Sequence, residues 1–310
     1  MVGQNARSMR IGVFTAVYSD LPLEAALDKL ADWGVEAVEL GAGNYSGDAH
    51  VQGDVRRVVS ERGMTISALS QHGNPLHPHE GLAKAHHETW RRTLELAERL
   101  EVDTVVAFSG CPGDQQGTLF PNWVTCAWPG DYAEVLRWQW EERVLPYWTR
   151  ETEVARSHGV RVAIEPHAGF VVHSPDTLLR LREACGDALG VNYDPSHLFW
   201  QGIDPVLAIE RLADAIFHVH AKDTRMEPER MARRGVLETA SFEDPDARAW
   251  NFATIGDGHG EDVWRAIVEA LRAAGYEGAL SVEHEDPRRT RDEGLARGIE
   301  VLRRVLHRVA

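Results

Sequence analysis

The segment AIEPH at residues 163–167 is followed by NYDPSH at 192–197, HVHAKD at 218–223 and SVEHED at 281–286. Each closes a short apolar run with an acidic residue or a histidine. A parallel strand reads this way when its last side chain emerges at the rim of a sheet. From Glu165 to Asp194 is 29 residues and from Asp194 to His220 is 26. Each interval is about one βα repeat, so the three side chains are expected at equivalent heights on neighbouring strands. Glu283 follows 63 residues after His220, one repeat plus an insertion, and closes the arc on the final strand.

Outward from these segments, apolar and β-branched runs alternate with longer helical patterns, as a parallel sheet with crossover helices requires. The strands read as Arg10–Thr15, Glu36–Leu40, Thr65–Ser70, Thr104–Phe108, Val160–Glu165, Leu189–Asp194, Ala215–His220 and Ala279–Glu283. Helices are expected from Asp20-x-Pro22 to Gly34, over Asp54–Arg62, Gly81–Leu100 and Ala133–Ser157, from Ser174-Pro175 and Asp204-Pro205, and over Asp262–Ala274 and Arg291–Val309. A polar cap followed by proline marks a helix start rather than a break. The expected fold is a single α/β (β/α)8 TIM barrel over residues 10–310 behind a leader at 1–9. Two connections, Ser109–Gly130 and Lys222–Gly260, are too long for ordinary βα loops. Both follow strands, so they are expected to rise from the C-terminal face, where barrels of this kind build their active sites, and to wall the pocket.

Any one acid or histidine at a strand end reads first as a solvated cap or a local ion pair; four converging on one rim read as a metal site. Three carboxylates and one imidazole form a hard, oxygen-rich set that favours Mn2+, with Mg2+ or Co2+ as alternatives, over a thiolate zinc site. Carboxylates crowded at one point repel each other, and a bound cation offsets that repulsion. Near these ligands stand His167, His197, Lys222, Asp223 and Arg225, candidates for proton transfer and substrate contact. His167 shares strand parity with Glu165 and is either a proton-transfer group or a histidine that orients its neighbours. His197 reads as a substrate contact or a support, and His218 as a packed histidine one layer lower. SQHGNPLHP after the third strand offers His72 and Asn74 for sugar hydroxyls or for closing a turn. Among the aromatics, Trp123 and Trp200 are named as substrate contacts, since indole faces pack well on sugar rings.

With 43% hydrophobic and 26% charged residues, the chain can bury a large core and lacks the signature of disorder. A net charge of -15 opposes a polyphosphate partner, so nucleic acid is not expected. Cys111, Cys126 and Cys185 are odd in number and lack C-x-x-C spacing, which fits a reducing cytoplasm. No apolar run long enough for a signal core or a span occurs, so neither export nor a membrane partner is expected.

At these motifs the chain resembles the xylose isomerase-like barrel superfamily, in particular its sugar phosphate isomerase/epimerase group of ketose 3-epimerases, inosose isomerases and inosose dehydratases. The resemblance implies that Glu165, Asp194, His220 and Glu283 bind one metal at the ends of strands five to eight. On the residues' own chemistry, Glu165, Glu283, His167 and Lys222 are the candidates for catalysis, and His72, His197, Arg225, Trp123 and Trp200 those for substrate contact. DPSH fits the family's Asp-x-x-His, and HVHAKD its strand-seven motif. The arginine that 3-epimerases place six residues past the ligand is displaced: position 226 is Met, and Arg225 is nearest. GNPLHP, PNWVTCAW, SHLFWQGIDP and the insertion before WNFATIGDGHG look like the catalytic subunits of bacterial C-glycoside deglycosidases. Endonuclease IV shares the barrel, but its fourth-strand ligand is missing here, where the strand ends Phe108-Ser109-Gly110.

The expected activity is therefore a divalent-metal-dependent isomerase or epimerase acting through an enediolate on a keto sugar or related polyol. A lyase acting on 3-keto glycosides or an inosose is the alternative within chemistry, and a non-catalytic sugar-binding protein the alternative outside it. The resemblance further implies self-association into a homo-oligomer, or a hetero-oligomer with a small subunit if the chain is deglycosidase-like.

Overall fold

The computed structural model describes residues 9–41 and 49–309, the side chains of 49–54 excepted, so the expected leader falls almost wholly outside the described residues. Its core is a closed barrel of eight parallel strands: β1 (Arg10–Phe14), β2 (Ala37–Gly41), β3 (Thr65–Gln71), β4 (Thr104–Phe108), β5 (Arg161–Glu165), β6 (Leu189–Tyr193), β7 (Ile216–Ala221) and, as the final stave, β10 (Ala279–Val282). β10 pairs with both β7 and β1, closing the ring as the sequence predicted.

Between the staves run α1 (Leu23–Asp32), α2 (Ala49–Ser60), α3 (Glu80–Leu100), α4 (Gly130–Trp138), α5 (Leu145–Ser157), α6 (Pro175–Cys185), the short α7 (Ser196–Phe199), α8 (Pro205–Leu212), α10 (Glu261–Ala273) and α11 (Arg291–Val309). Their starts follow local chemistry. Ser174 caps α6 in a reciprocal capping box with Thr177, and Asp204 accepts from the amides of Val206 and Leu207 at 2.8 and 3.0 Å to start α8. Leu, Val and Ile from the inner faces of these helices meet the outward side chains of the strands in one continuous core. None of the described helices is long and apolar enough to cross a membrane.

The structure departs from the expected element map in two places. The single helix expected over Ala133–Ser157 is α4 and α5 joined by a π turn at Gln139–Val144. There the buried Gln139 amide donates to the carbonyls of Pro112, Gly113 and Asn122, so the widened turn anchors the irregular loop after β4. The long connection after β7 also has structure of its own. β8 (Asp223–Met226) pairs antiparallel with β9 (Trp250–Ala253), and α9 (Pro228–Arg234) lies between them. Asp223, read from sequence as a site candidate, instead holds this excursion together. Its carboxylate accepts from the amides of Thr224, Gly256, Gly258 and His259, from the Trp264 indole and from the His259 ring.

Two pairing irregularities shape the barrel interior. The β2–β3 register shifts at Val38/Glu39 and passes over Ser67, and the β6–β7 register shifts at Val191/Asn192 and passes over Phe217. Such bulges re-aim side chains. Gly190 is required opposite the second, since a Cβ there would stand 2.3 Å from the Ala215 carbonyl and 2.6 Å from the Phe217 ring. Phe217 packs with Ala68, Val106 and Ala163 as a separate apolar cluster.

Candidate metal centre

The ends of β5, β6, β7 and β10 bring Glu165, Asp194, His220 and Glu283 together, each offering a ligand atom within 4.8 Å of the others. His220 Nδ1 lies 3.2 Å from Glu165 Oε2 and 3.0 Å from Glu283 Oε2. The set that sequence spacing proposed is thus one spatial cluster.

The donor atoms fit a cation. Asp194 Oδ2, His220 Nδ1 and Glu283 Oε2 are buried and lack any hydrogen-bond partner, although buried polar atoms are ordinarily paired. The remaining oxygens of the first two strand ends are pinned. Asn192 Nδ2 donates to Glu165 Oε2 at 2.8 Å, and the Ser196 amide donates to Asp194 Oδ1 at 2.8 Å. Burial opposes charge on Glu165, yet His220, His197 and His72 around it hold its carboxyl well below the ordinary range. Burial likewise opposes charge on Glu283, and Lys222 and His220 bring it down to about 2. Both acids are therefore available as anions, the form that ligates a metal.

The neighbours proposed from sequence gather around this point. His72 Nε2 is 3.5 Å from Glu165 Oε2, and its ring leans on Phe108 at 4.6 Å. His197, fully buried, reaches Glu165 Oε1 at 3.2 Å and Asp194 Oδ2 at 3.3 Å. His167 joins Glu165 and His197 in one cluster, its ring 4.0 Å from that of His197. Enclosure and the adjacent His197 push His167 down to about 3, so its imidazole is neutral at physiological pH. Lys222 places Nζ 3.2 Å from Glu283, 2.6 Å from Glu285 and 4.1 Å from the centre of the Phe252 ring. Burial disfavours its charge, but Glu283 and Glu285 more than offset this and hold the ammonium well above its usual range. Lys222 is thus a fixed cation that offers charge and hydrogen bonds rather than a proton.

The two insertions meet beside the centre in an aromatic cluster of Trp200, Trp250 and Phe252 with Trp123 against it. Trp200 has one face covered by Trp250, stacked at 5.0 Å. What it and Trp123 offer is their indole N–H groups, both buried and unpartnered. Arg225 bonds Glu227 through Nε and keeps a buried Nη2 without a partner. Asn74 closes the turn: its amide bonds the backbone of Cys111 in both directions and the Leu76 amide.

Sequence reading missed two residues that shape this site. Asn192 lies inside β6 and Glu39 inside β2, where it accepts from His218 Nε2 and His220 Nε2, each at 2.9 Å. The signal was a polar residue within an apolar strand, AVELG and LGVNY. His218 is the packed histidine expected one layer below the rim.

Comparison with known proteins agrees with this architecture. A Bacillus subtilis protein named only as uncharacterised, YfiH, is 36% identical over 96% of this chain and 99% of its own. The rhizopine catabolism protein MocC of Rhizobium meliloti is 30% identical over 86% of this chain and 76% of its own. An inosose dehydratase of Geobacillus thermodenitrificans is 32% identical over 44% of each chain. Among solved structures, a D-tagatose 3-epimerase-like protein superposes with a TM-score of 0.68 at 21% identity, over 97% of this chain and all of its own. The IOLI protein with a bound zinc atom superposes with a TM-score of 0.68 at 17% identity, over 97% and 99%. The family model described as xylose isomerase-like TIM barrel matches residues 27–305. By that match the chain belongs to the xylose isomerase-like TIM barrel family.

Proposed function

We propose that this protein is a divalent-metal-dependent isomerase or epimerase that moves a proton on the carbon beside the carbonyl of a keto sugar or keto polyol. The observation that carries the reading is the pairing of Glu165 and Glu283, from the two outer strands of one arc, within a single ligand cluster that also holds His220 and Asp194. Mn2+ fits the oxygen-rich donor set best, with Mg2+ or Co2+ next; the zinc in the IOLI structure supports a divalent ion of some kind. A cation bound there supplies Lewis acidity to the substrate's oxygens.

The chain's own side chains account for the rest. Glu165 and Glu283 flank the centre, so one carboxylate takes the proton and the other returns one from a different side, or to the neighbouring carbon. The fixed charge of Lys222 keeps Glu283 ionised and stabilises negative charge as it develops. His72 Nε2, His197 and the neutral His167 line the same rim, and the unpartnered donors of Trp123, Trp200 and Arg225 suit hydroxyl oxygens.

The likeness to an inosose dehydratase favours a second reading, in which proton removal is followed by loss of the substituent on the next carbon. The C–H proton then goes to a carboxylate while the C–O or C–C bond breaks, and the leaving hydroxyl or aglycone takes a proton from a rim histidine such as His72. The displaced Arg225 and the aromatic insertions support the same reading, including a 3-keto glycoside as substrate.

Incubating the metal-loaded protein in D2O with a ketohexose, an inosose and a 3-keto glycoside tests both. Deuterium appearing beside the carbonyl by NMR, and lost in Glu283→Gln, is the expected result. A conjugated enone or a freed aromatic aglycone, seen as new ultraviolet absorbance, selects elimination. Saturable binding with no exchange and no product on any of them would leave a sugar-binding protein and overturn both.

A further inference from the structure

We propose that Glu39 is a positioning residue for the metal centre: from inside β2 it fixes which ring nitrogen His220 presents upward, and so sets the affinity of the site for its cation. This rests on reading Glu165, Asp194, His220 and Glu283 as metal ligands.

Glu39 is fully buried and saturated. Its carboxylate accepts from His218 Nε2 at 2.9 Å, His220 Nε2 at 2.9 Å from both oxygens, Ser281 Oγ at 2.6 Å and Ser70 Oγ. These partners come from β7, β10 and β3, so the carboxylate braces the lumen across the barrel. The register shift at Val38/Glu39 lies at this position.

An ionised carboxylate only accepts hydrogen bonds, so each imidazole facing Glu39 must carry its proton on Nε2. In the neutral form of His220 that would ligate a cation, that leaves the lone pair on Nδ1, the ring nitrogen that stands 3.2 and 3.0 Å from Glu165 and Glu283. A half-turn of the ring would put a carbon where Nδ1 stands and break the bond to Glu39, and Phe14, stacked on the ring at 5.6 Å, limits other motion. Ser70, Ser281 and His218 in turn stop Glu39 from swinging away. Glu39, His218 and His220 also lie close enough to suggest a cation site of their own. With four donors already on the carboxylate, that cluster is a support and not a second centre.

The test is Mn2+ binding by calorimetry to wild type, Glu39→Gln and Ser281→Ala, with NMR of the His220 Nε2 proton in the proteins loaded with diamagnetic Mg2+. Groups that orient a metal-bound histidine change affinity by about 10–100-fold. Glu39→Gln is expected to weaken Mn2+ by about that factor and to expose the Nε2 proton to exchange, because its amide presents N–H to donors. Ser281→Ala, which leaves the His220 bond in place but frees Glu39 to move, is expected to weaken it less and serves if Glu39→Gln does not fold. Unchanged Kd in both variants, with melting lowered equally in loaded and metal-free protein, would reduce Glu39 to a structural brace and overturn the proposal. Wild type that binds no divalent ion would remove the metal reading itself; wild type that binds beside variants that bind equally would remove only the role of Glu39.

Discussion

The two halves of the barrel rim are built from different chemistry. At the ends of β5, β6, β7 and β10 stand Glu165, Asp194, His220 and Glu283, whereas on the opposite wall β1 and β4 end in Phe14 and Phe108 and β3 leads into His72. The second half puts rings where the first puts charge: Phe108 packs on His72 and His167 at 4.6 Å each, and Phe14 stacks over His220. The one acid in its four strands, Glu39, sits a layer lower and faces the same imidazole from beneath. The contrast teaches that the charged half gathers the donor atoms that could hold a cation, while the apolar half encloses them and lowers the local dielectric, which strengthens every interaction at the centre.

That division can be broken first at the ligands. Structural zinc sites bind with about 10–16 kcal/mol over four ligands, so losing one is worth roughly 2.5–4 kcal/mol, a loss of affinity on the order of a hundredfold or more. Asp194→Ala is expected to show this by calorimetry. A loss below tenfold would mean that the cluster is not the metal site.

Chelation should come next in size. A cation at a hundred times its Kd stabilises the fold by about 2.7 kcal/mol, which for a chain of this size is about 4 °C in Tm. Comparing melts in EDTA and in Mn2+ measures it. An unchanged Tm would show that the four carboxylate and imidazole groups do not need a cation to offset them.

Beneath both halves, Gly190→Ala should destabilise by about 1–3 kcal/mol, since the new methyl meets the Ala215 carbonyl and the Phe217 ring. Urea unfolding is the check, and metal Kd should not follow. The smallest effect is expected on the apolar half: Phe108→Leu should lower stability by less than about 1.5 kcal/mol and leave Mn2+ affinity unchanged. If it weakened metal binding as much as Asp194→Ala, the separation of roles between the halves would fail.

Much of this was legible before any coordinates. The repeat spacing of Glu165, Asp194 and His220 follows the βα period, and strand-end residues of a closed barrel must share one rim, so the cluster of four candidate ligands emerged from spacing and type together. Pro after Ser174 and Asp204 marked helix starts because capping is local chemistry. The rest depended on long-range pairing. Gln139 reads as one more helix residue until the loop carbonyls it bonds are known. Asp223 has the same residue type and neighbourhood as a site acid, yet amides from residues 256 to 259 consume it. Lys222 looks like a proton carrier until Glu285 and the Phe252 ring are seen beside it.

By itself the sequence determined a parallel barrel, the arc of acids and a histidine at its rim and the two insertions beside it, because strand period, helix caps and residue type are properties of neighbours along the chain. Only the tertiary structure decided that Glu39 lies under His220, 181 positions away, and that Asn192 pins Glu165. Those relations arise from barrel closure and from the register shifts at Val38/Glu39 and Val191/Asn192, which place side chains of distant strands in one lumen and leave no periodic trace in the chain.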